Sequence, residues 1–459
     1  MIRAGILAAA FGCALTLVAA PAAAQDFVIT NATVATGDGS EPIAGGYVVV
    51  ENGKVAQIGS GTAVTDYPAI DAGGGWVTPG LVATVTSLGL WDVGAVSESN
   101  DTRASRSPFS AALDVVPVVN PNSQHIKVHR AAGITRAATV TMPSGSIFGG
   151  QGAIIDLGDD GDPITRARAF QIVSLGESGG RLAGGSRASA HALFRNALRE
   201  ADRFGQDARI PGRASRPAER DPGDDMPLDP RMATGNAERG DDVLLSRFDA
   251  AALVPVVRGE QPLYVEVERA SDIRSVLALR QEFPRLDLVL VGASEGWLVA
   301  NEIAAAGVPV IADGLDDLPE NFEELAATQS NIGRMASAGV KVAINAAAME
   351  NPRNLNQFAG NLVALARMPR ASGLSWGQAL AAITSIPAEI SGLGGRAGVL
   401  ARGANGDLVI WDKDPLELGA MPVRVFIDGV EQPLDNHQSR LKERYRDLDE
   451  SRLPKAYDW

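Results

Sequence analysis

The sequence predicts an α/β fold, in which a (β/α)8 barrel is joined to a small composite β-sandwich domain. Three observations carry this prediction. Short β-rich runs occupy both ends of the 459-residue chain, strand-like and helix-like segments alternate through the middle, and eight candidate strands can be counted there. A parallel sheet with crossover helices produces this alternation, and eight strands are the number that closes a TIM barrel.

The first 24 residues have the pattern of an export signal. Arg3 supplies a positive charge, residues 5–20 form an apolar stretch, and Ala22 and Ala24 match an A-x-A cleavage site. We expect cleavage near Ala24 and a mature protein that is periplasmic or secreted. An uncleaved membrane anchor is the alternative, but the apolar stretch is shorter than the roughly 20 residues that span a bilayer. No later segment is long and apolar enough to form a span.

Charge and cysteine content narrow the expected partners and chemistry. The formal net charge is −14, and an acidic surface repels nucleic acid and anionic lipid, so neither is expected as a partner. The only cysteine, Cys13, lies in the predicted signal. The mature chain is therefore expected to form no disulfide and to carry out no thiolate chemistry.

The predicted β-sandwich domain comprises residues 25–79 and 393–435. Asn52-Gly53 is the strongest hairpin signal in this part of the chain. Turn residues separate the β-rich runs, which lie at 27–30, 46–50, 54–58, 407–411 and 424–429. Because these runs enclose a long middle segment, they predict one sheet domain built from both ends.

The predicted barrel domain comprises residues 80–392. Gly307 and Gly339 each follow a helical run, as expected for helix C-caps. The helical runs lie at 271–283, 295–306, 321–338 and 354–367. The candidate strands lie at 80–86, 134–140, 152–157, 170–175, 262–268, 286–291, 308–311 and 340–344.

Two segments fall outside this alternation. Residues 205–246 are rich in Pro, Gly, Arg and Asp, and so long a loop is either functional or disordered, so we expect a mobile surface insertion. Residues 436–459 form a charged tail, in which the run from Ser439 to Arg452 has a helical pattern.

Motifs at both ends of the chain resemble those of the amidohydrolase superfamily. Residues 51–59 and the segment 70–82, which ends in Thr78-Pro79-Gly80-Leu81-Val82, match its start in order and spacing. The match resumes at 387–393, 398–400 and 403–411 and ends at 425–429. Within the superfamily the chain looks most like the imidazolonepropionase-like and dihydroorotase-like group. The resemblance implies a hydrolase of carbon–nitrogen bonds other than peptide bonds, with zinc or another divalent metal.

The metal ligands that the resemblance implies are replaced in this chain. In the family the first barrel strand ends in His-x-His, two imidazoles that project from alternate residues onto one metal. Val85 and Ser87 stand at these positions, and neither replaces an imidazole as a zinc ligand. Glu266 is the best match to the strand-five histidine, the sixth strand ends without a histidine, and Ala347 is the best match to the strand-eight aspartate. We therefore expect no bound metal and no other cofactor.

The four histidines lie away from the strands that carry the family's ligands. His125 and His129 are one helical turn apart on a predicted helix over 123–132, where a carboxylate could complete a metal site with them. A solvated or packed helix face is the alternative. His191 and His437 are isolated in the sequence.

Glu266 and Glu268 are the only catalytic candidates among the aligned strands. They are two residues apart on a strand, so both face the barrel mouth, where crowding raises one pKa and permits acid and base roles. The alternative is a structural network in which Arg136, Arg269 or another cation neutralises them.

Two glycine-rich segments have simpler interpretations than ligand binding. Residues 147–153 lack the Lys-Ser or Lys-Thr of a phosphate loop and predict a tight turn between strands. Residues 184–191 predict a loop that enters a helix, with Ser186 as N-cap; an anion at the helix N-terminus is the alternative.

These observations leave two functional hypotheses. In the first, the protein is a non-catalytic descendant, a pseudoenzyme, whose barrel mouth or insertion binds a small molecule, a peptide or an envelope partner. In the second, it is a working hydrolase of carbon–nitrogen bonds with unusual ligands or a metal-free carboxylate mechanism. The uniform replacement of the ligand positions favours the first hypothesis.

Overall fold

The computed structural model describes residues 24–207, 244–345 and 352–446. Four predicted features therefore lie wholly or largely outside the described residues. They are the signal up to residue 23, most of the insertion 205–246, Ala347 at the expected strand-eight position, and the tail beyond Arg446.

Both ends of the chain contribute to one β domain, as predicted. β5 pairs in parallel with β1 and antiparallel with β14, which joins the two ends in a single eight-stranded sheet. The strands are β1 (Phe27–Val34), β2 (Ile43–Glu51), β3 (Lys54–Ser60), β4 (Ala69–Asp71), β5 (Trp76–Pro79), β14 (Leu408–Trp411), β15 (Pro422–Ile427) and β16 (Val430–Glu431).

Local chemistry explains the β2–β3 hairpin and the contact between the two chain ends. Asn52 and Gly53 both have positive φ, 50° and 73°, which is the backbone that this two-residue turn requires. The indole of Trp411 donates a hydrogen bond to Thr78 Oγ1 at 2.9 Å, and Trp411 lies opposite Trp76 in the ladder. The predicted hairpin is confirmed.

Eight further strands form a second, nearly closed sheet in simple sequence order, which confirms the barrel. β13 lies beside β6, where the barrel closes. The strands are β6 (Leu81–Thr86), β7 (Ile134–Thr139), β8 (Phe148–Asp156), β9 (Ile164–Ser174), β10 (Leu263–Val267), β11 (Leu288–Gly292), β12 (Val310–Asp313) and β13 (Val342–Asn345).

The expectation of a wholly parallel barrel is wrong for β8, which runs antiparallel to both β7 and β9. Parallel neighbours need a crossover of about a dozen residues or more. The links 140–147 and 157–163 are too short for one, so β8 must reverse direction.

The expected tight turn at 147–153 is also wrong, because most of this segment belongs to β8. A Cβ on Gly152 would lie 2.2 Å from the Phe170 ring, so glycine lets the neighbouring strand approach closely.

The helical runs predicted at 271–283, 295–306 and 354–367 overlap the helices Ala270–Ala278, Ala300–Ala306 and Leu355–Leu365. A fourth predicted helix differs at its start. The expected helix over 321–338 begins only at Asn331. Side chains of Asn321 and Glu324 accept backbone N–H groups of residues 323 and 320, which competes with helix formation there. The helices are α1 (Gln124–Arg130), α2 (Gly176–Leu182), α3 (Arg187–Asp207), α4 (Arg247–Val257), α5 (Ala270–Ala278), α6 (Ala300–Ala306), α7 (Asn331–Ser337), α8 (Leu355–Leu365), α9 (Trp376–Ala381), α10 (Ser385–Ile390) and α11 (His437–Arg444).

Caps that the sequence predicted are present in the structure. Gly307 and Gly339 have φ of 62° and 89°, and Ser186 Oγ accepts the N–H of Ala188 at the start of α3. Over the described ranges, none of the helices has the length and apolar character needed to cross a membrane.

Candidate functional site

One cavity of about 200 Å³ lies at the carboxyl ends of six barrel strands. We call it the mouth cavity, and this end of a barrel is where binding and catalytic residues collect. It is lined by Val85, Ser174, Leu175, Ser178, Glu266, Val267, Glu268, Val291, Gly292, Asp313, Asn321, Glu323, Glu324 and Asn345.

Glu266, in β10, and Glu268, directly after it, both line the mouth cavity, as their two-residue spacing predicted. Burial raises the pKa of Glu266, against a hydrogen bond with Ser174 that favours its charged form. Burial raises the pKa of Glu268 to about 8, and the charges of Asp313 and Glu324 add to the shift. The Ser294 amide and hydroxyl oppose it, because they donate to Glu268 Oε2 at 2.9 and 2.8 Å.

The cations expected to neutralise this pair lie elsewhere. Arg136 lies in the amino-terminal half of β7 and pairs with Asp407 of the β domain at 2.7 Å. Arg269 donates to the carbonyl oxygen of Phe322. The structural network that the sequence suggested therefore does not form around Glu266 and Glu268 through these two arginines.

Three carboxylates and two amides of the mouth cavity were not predicted from the sequence, namely Asp313, Glu323, Glu324, Asn321 and Asn345. Asp313 and Asn345 are the last residues of β12 and β13 and lie directly opposite each other in the ladder. Glu323 is 4% exposed, and its Oε2 accepts the N–H of Glu177 at 2.8 Å. Glu324 lies beside it in the loop after β12. A polar residue at the end of an apolar strand was the available signal for Asp313 and Asn345.

Burial raises the pKa of Asp313 to about 7. The charges of Asp316, Glu324 and Glu320 act in the same direction, whereas the Asn345 amide stabilises the ionised form. The mouth cavity therefore holds two carboxyl groups, those of Glu268 and Asp313, whose pKa values lie near neutral pH.

Val85 and Ser87, which the resemblance places at the family's His-x-His, do not share a surface. Val85 lines the mouth cavity with φ of 42°, an uncommon conformation for a β-branched residue. The β6–β7 ladder shifts register between Ala83 and Thr86, so alternation is lost. As a result Ser87 lines a neighbouring cavity with Trp91 and Arg103 instead.

Three of the four histidines line a second cavity of about 250 Å³, outside the barrel mouth. The ring of His125 stacks on Trp91 at 3.6 Å, and the carbonyl oxygen of His125 accepts a hydrogen bond from His129 Nδ1 at 2.6 Å. His437 lines the same cavity, whereas His191 lies 3.8 Å from Asp272 in another part of the barrel. Within the described ranges, no three His, Cys, Asp or Glu side chains are grouped closely enough to hold a metal ion.

Sequence comparison finds two matches. A model of the Amidohydrolase family matches residues 329–431. The chain is also similar to Amidohydrolase tasK of Hapsidospora irregularis, with 25% identity over 413 residues. The alignment covers 84% of this chain but only 40% of that protein, so the chain spans about two fifths of its relative.

Structural comparison finds similar folds in solved structures. An amidohydrolase from Thermotoga maritima MSB8 superposes with a TM-score of 0.72 at 22% identity, over 88% of this chain and 99% of the other. A molinate hydrolase superposes with a TM-score of 0.51 at 16% identity, over 90% of this chain and 95% of the other. At these identities the comparison establishes the fold, a barrel with an attached β domain.

Proposed function

Because this chain belongs to the amidohydrolase superfamily, we propose that its barrel mouth is a binding site and that the protein is a non-catalytic homologue. The observation that carries the proposal is the lining of the mouth cavity. Carboxylates, two amides and the apolar side chain of Val85 line the barrel mouth, where the resemblance implies imidazoles around a metal.

The donor set does not fit the metal centre that the family implies. Zinc in a catalytic site is held by about three protein ligands, commonly histidines. Here β6 supplies Val85, β11 ends in Gly292 and β13 ends in Asn345. The oxygen donors that remain are spread over several strand ends, and in the described ranges they form no group of three that could hold a metal ion.

Metal analysis of protein purified from its native compartment tests this proposal. We expect zinc, iron and manganese well below one ion per chain, and no saturable hydrolysis of amide, cyclic amide or carbamate substrates. Stoichiometric metal together with saturable hydrolysis would overturn the proposal.

A second candidate function is supported by the pKa of Glu268. A carboxyl group with a pKa of about 8 is protonated at neutral pH, and it can therefore act as a general acid. A metal-free hydrolase would use it together with Glu266, which lies two residues earlier, in β10. If a confirmed hydrolytic activity persisted unchanged in both Glu266→Gln and Glu268→Gln, this carboxylate mechanism would fail.

We also propose export, on the support of the N-terminal sequence. The basic Arg3, the apolar stretch over 5–20 and the small residues Ala22 and Ala24 carry this part of the proposal. Mass spectrometry of the periplasmic or secreted protein should find an N-terminus at Gln25. An intact N-terminus, or protein confined to the cytoplasm, would contradict it.

A further inference from the structure

We infer that the mouth cavity binds an organic monocation, a ligand that carries a primary ammonium or guanidinium group. The carboxylates of Glu268 and Asp313 and the amide oxygen of Asn345 would hold this group. The inference rests on the proposed binding function and names the class of ligand.

The charge of the cavity lining is the first support. Its ionisable side chains are all acidic, namely Glu266, Glu268, Asp313, Glu323 and Glu324. Among the described residues, neither lysine nor arginine lines this cavity. Carboxylates held in a low-dielectric site without a cation are unfavourable when ionised, so a cationic ligand complements them.

Hydrogen bonding is a second and independent support. Asn345 is only 7% exposed, and its Oδ1 has no hydrogen-bond partner in the described part of the chain. The same holds for Asp313 Oδ1, on the neighbouring strand. Both atoms are acceptors, so a ligand must supply donors. An ammonium group carries three N–H donors and a guanidinium group up to five.

The spacing of the oxygens favours an organic cation over a metal ion. A metal ion needs several ligands within about 2.0–2.6 Å, and no such trio of acidic or imidazole side chains occurs in the described ranges. A cavity of about 200 Å³ is several times larger than the roughly 30 Å³ of one water molecule. A larger cation that donates hydrogen bonds over about 2.8 Å fits this arrangement better.

The backbone leaves space for these carboxylates at two strand ends. Gly292 has φ of 87°, and a Cβ there would lie 1.9 Å from Glu268 Oε1. Gly176 has φ of 66°, and a Cβ there would lie 2.2 Å from Glu323 Oε2. The positions of these two carboxylates therefore require glycine after β9 and at the end of β11, where any side chain would displace them.

The raised pKa values of Glu268 and Asp313 agree with the same class of ligand. The pKa values of Glu268, about 8, and Asp313, about 7, are raised by burial and by the facing carboxylates Glu324, Asp316 and Glu320. A bound cation favours the ionised forms, so binding releases protons. Affinity for the cation should therefore increase as the pH rises from 6 to 9.

Matched small probes test the inference on the full-length protein. We would titrate n-butylammonium, butyramide and butyrate by calorimetry at pH 8 and low salt, with MgCl2 and ZnCl2 as metal probes. We expect n-butylammonium to bind and to raise the Tm, and the amide and the anion to bind at least about tenfold more weakly. Glu268→Gln and Asp313→Asn should each weaken ammonium binding about tenfold, whereas the exposed control Glu302→Gln should not.

Three results would overturn the inference. They are the absence of any ammonium binding, butyramide or butyrate binding as tight as that of the ammonium, and displacement of the ammonium by a tightly bound metal. If butyramide bound as tightly as the ammonium and Asn345→Ala abolished its binding, the inferred class of ligand would be wrong. The proposed binding function of the mouth cavity would still be supported. Stoichiometric native metal with hydrolysis would reject both. Glu268 and Asp313 lie at the ends of different strands. If one of the two variants fails to fold, ammonium binding to the other variant still tests the inference.

Discussion

Arg136 Nε donates to the Asp407 carboxylate at 2.7 Å, and the two side chains are 3% and 1% exposed. This ion pair joins β7 of the barrel to the segment that precedes β14 in the β domain. Burial opposes the charge of Arg136, but Asp407, Asp428 and Asp156 outweigh burial and raise its pKa. The contact explains why an aspartate stands at position 407 in the C-terminal motif.

Asp407→Asn should lower the free energy of unfolding by about 3 kcal/mol, because removal of one partner leaves a buried charge partly uncompensated. Urea unfolding measures this change. The matched control is Glu302→Gln, which breaks the exposed Arg274–Glu302 pair and should cost less than about 1 kcal/mol. Equal effects of the two substitutions would contradict the role assigned to the buried pair.

Gly292→Ala should destabilise the protein more than Gly307→Ala. Both glycines have positive φ, but a Cβ on Gly307 meets nothing within 4 Å, whereas one on Gly292 meets the Glu268 carboxylate. Gly307→Ala should cost about 1 kcal/mol from backbone strain alone. Glu268→Ala should relieve part of the extra cost of Gly292→Ala in a double-mutant cycle. Additive effects of the two substitutions would show that the contact is absent.

Without ligand, the protein should lose stability as the pH rises through 7 and 8. The pKa values of Asp313 and Glu268 are raised to about 7 and about 8, so the native state retains protons that the unfolded chain releases at lower pH. The resulting stability is complete below about pH 4 and is lost as the pH passes the native pKa values. In thermal melts from pH 5 to 9, the Tm should fall as the pH rises. Glu268→Gln should make this dependence of Tm on pH less steep, and Glu302→Gln should not.

His129 should remain neutral well below the usual pH for histidine. Burial lowers its pKa to about 4, although the hydrogen bond to the His125 carbonyl opposes the shift. Because the unfolded chain takes up this proton at higher pH, the native state should lose stability as the pH falls from about 6.5 toward 4. NMR titration of the ring protons should give a midpoint near 4, and a midpoint above 6 would contradict the buried environment. His129→Gln should reduce the loss of stability between about pH 6.5 and pH 4. The same substitution at the exposed His437 should not reduce it.

The pattern of the sequence was sufficient for most of the fold. Each of the eight barrel strands overlaps an apolar run that predicted it, although β8 and β9 begin four and six residues earlier than predicted. The Asn52-Gly53 hairpin and the Gly307 cap follow from local backbone preferences. The resemblance to the amidohydrolase superfamily is also confirmed. The direction of β8 was predicted wrongly because strand propensity carries no information on direction, which here follows from the short links on either side.

The candidate site was only partly predictable. Alternation along β10 was sufficient to bring Glu266 and Glu268 to the barrel mouth, because two residues on one strand have a known relation. Asp313 and Asn345 were not predicted, since a polar residue at the end of one apolar strand does not show which other strand end it meets. Their common surface exists only where β12 and β13 pair.

The sequence by itself determined the order of the strands and the composite β domain, because periodicity and turn chemistry are local properties. The tertiary structure alone decided that Arg136 pairs with Asp407 rather than with the glutamates, and that the carboxylates of β10 and β12 face one cavity with Asn345. The physical reason is that these residues meet only when the barrel closes, and burial there is the largest cause of the raised pKa values of Glu268 and Asp313.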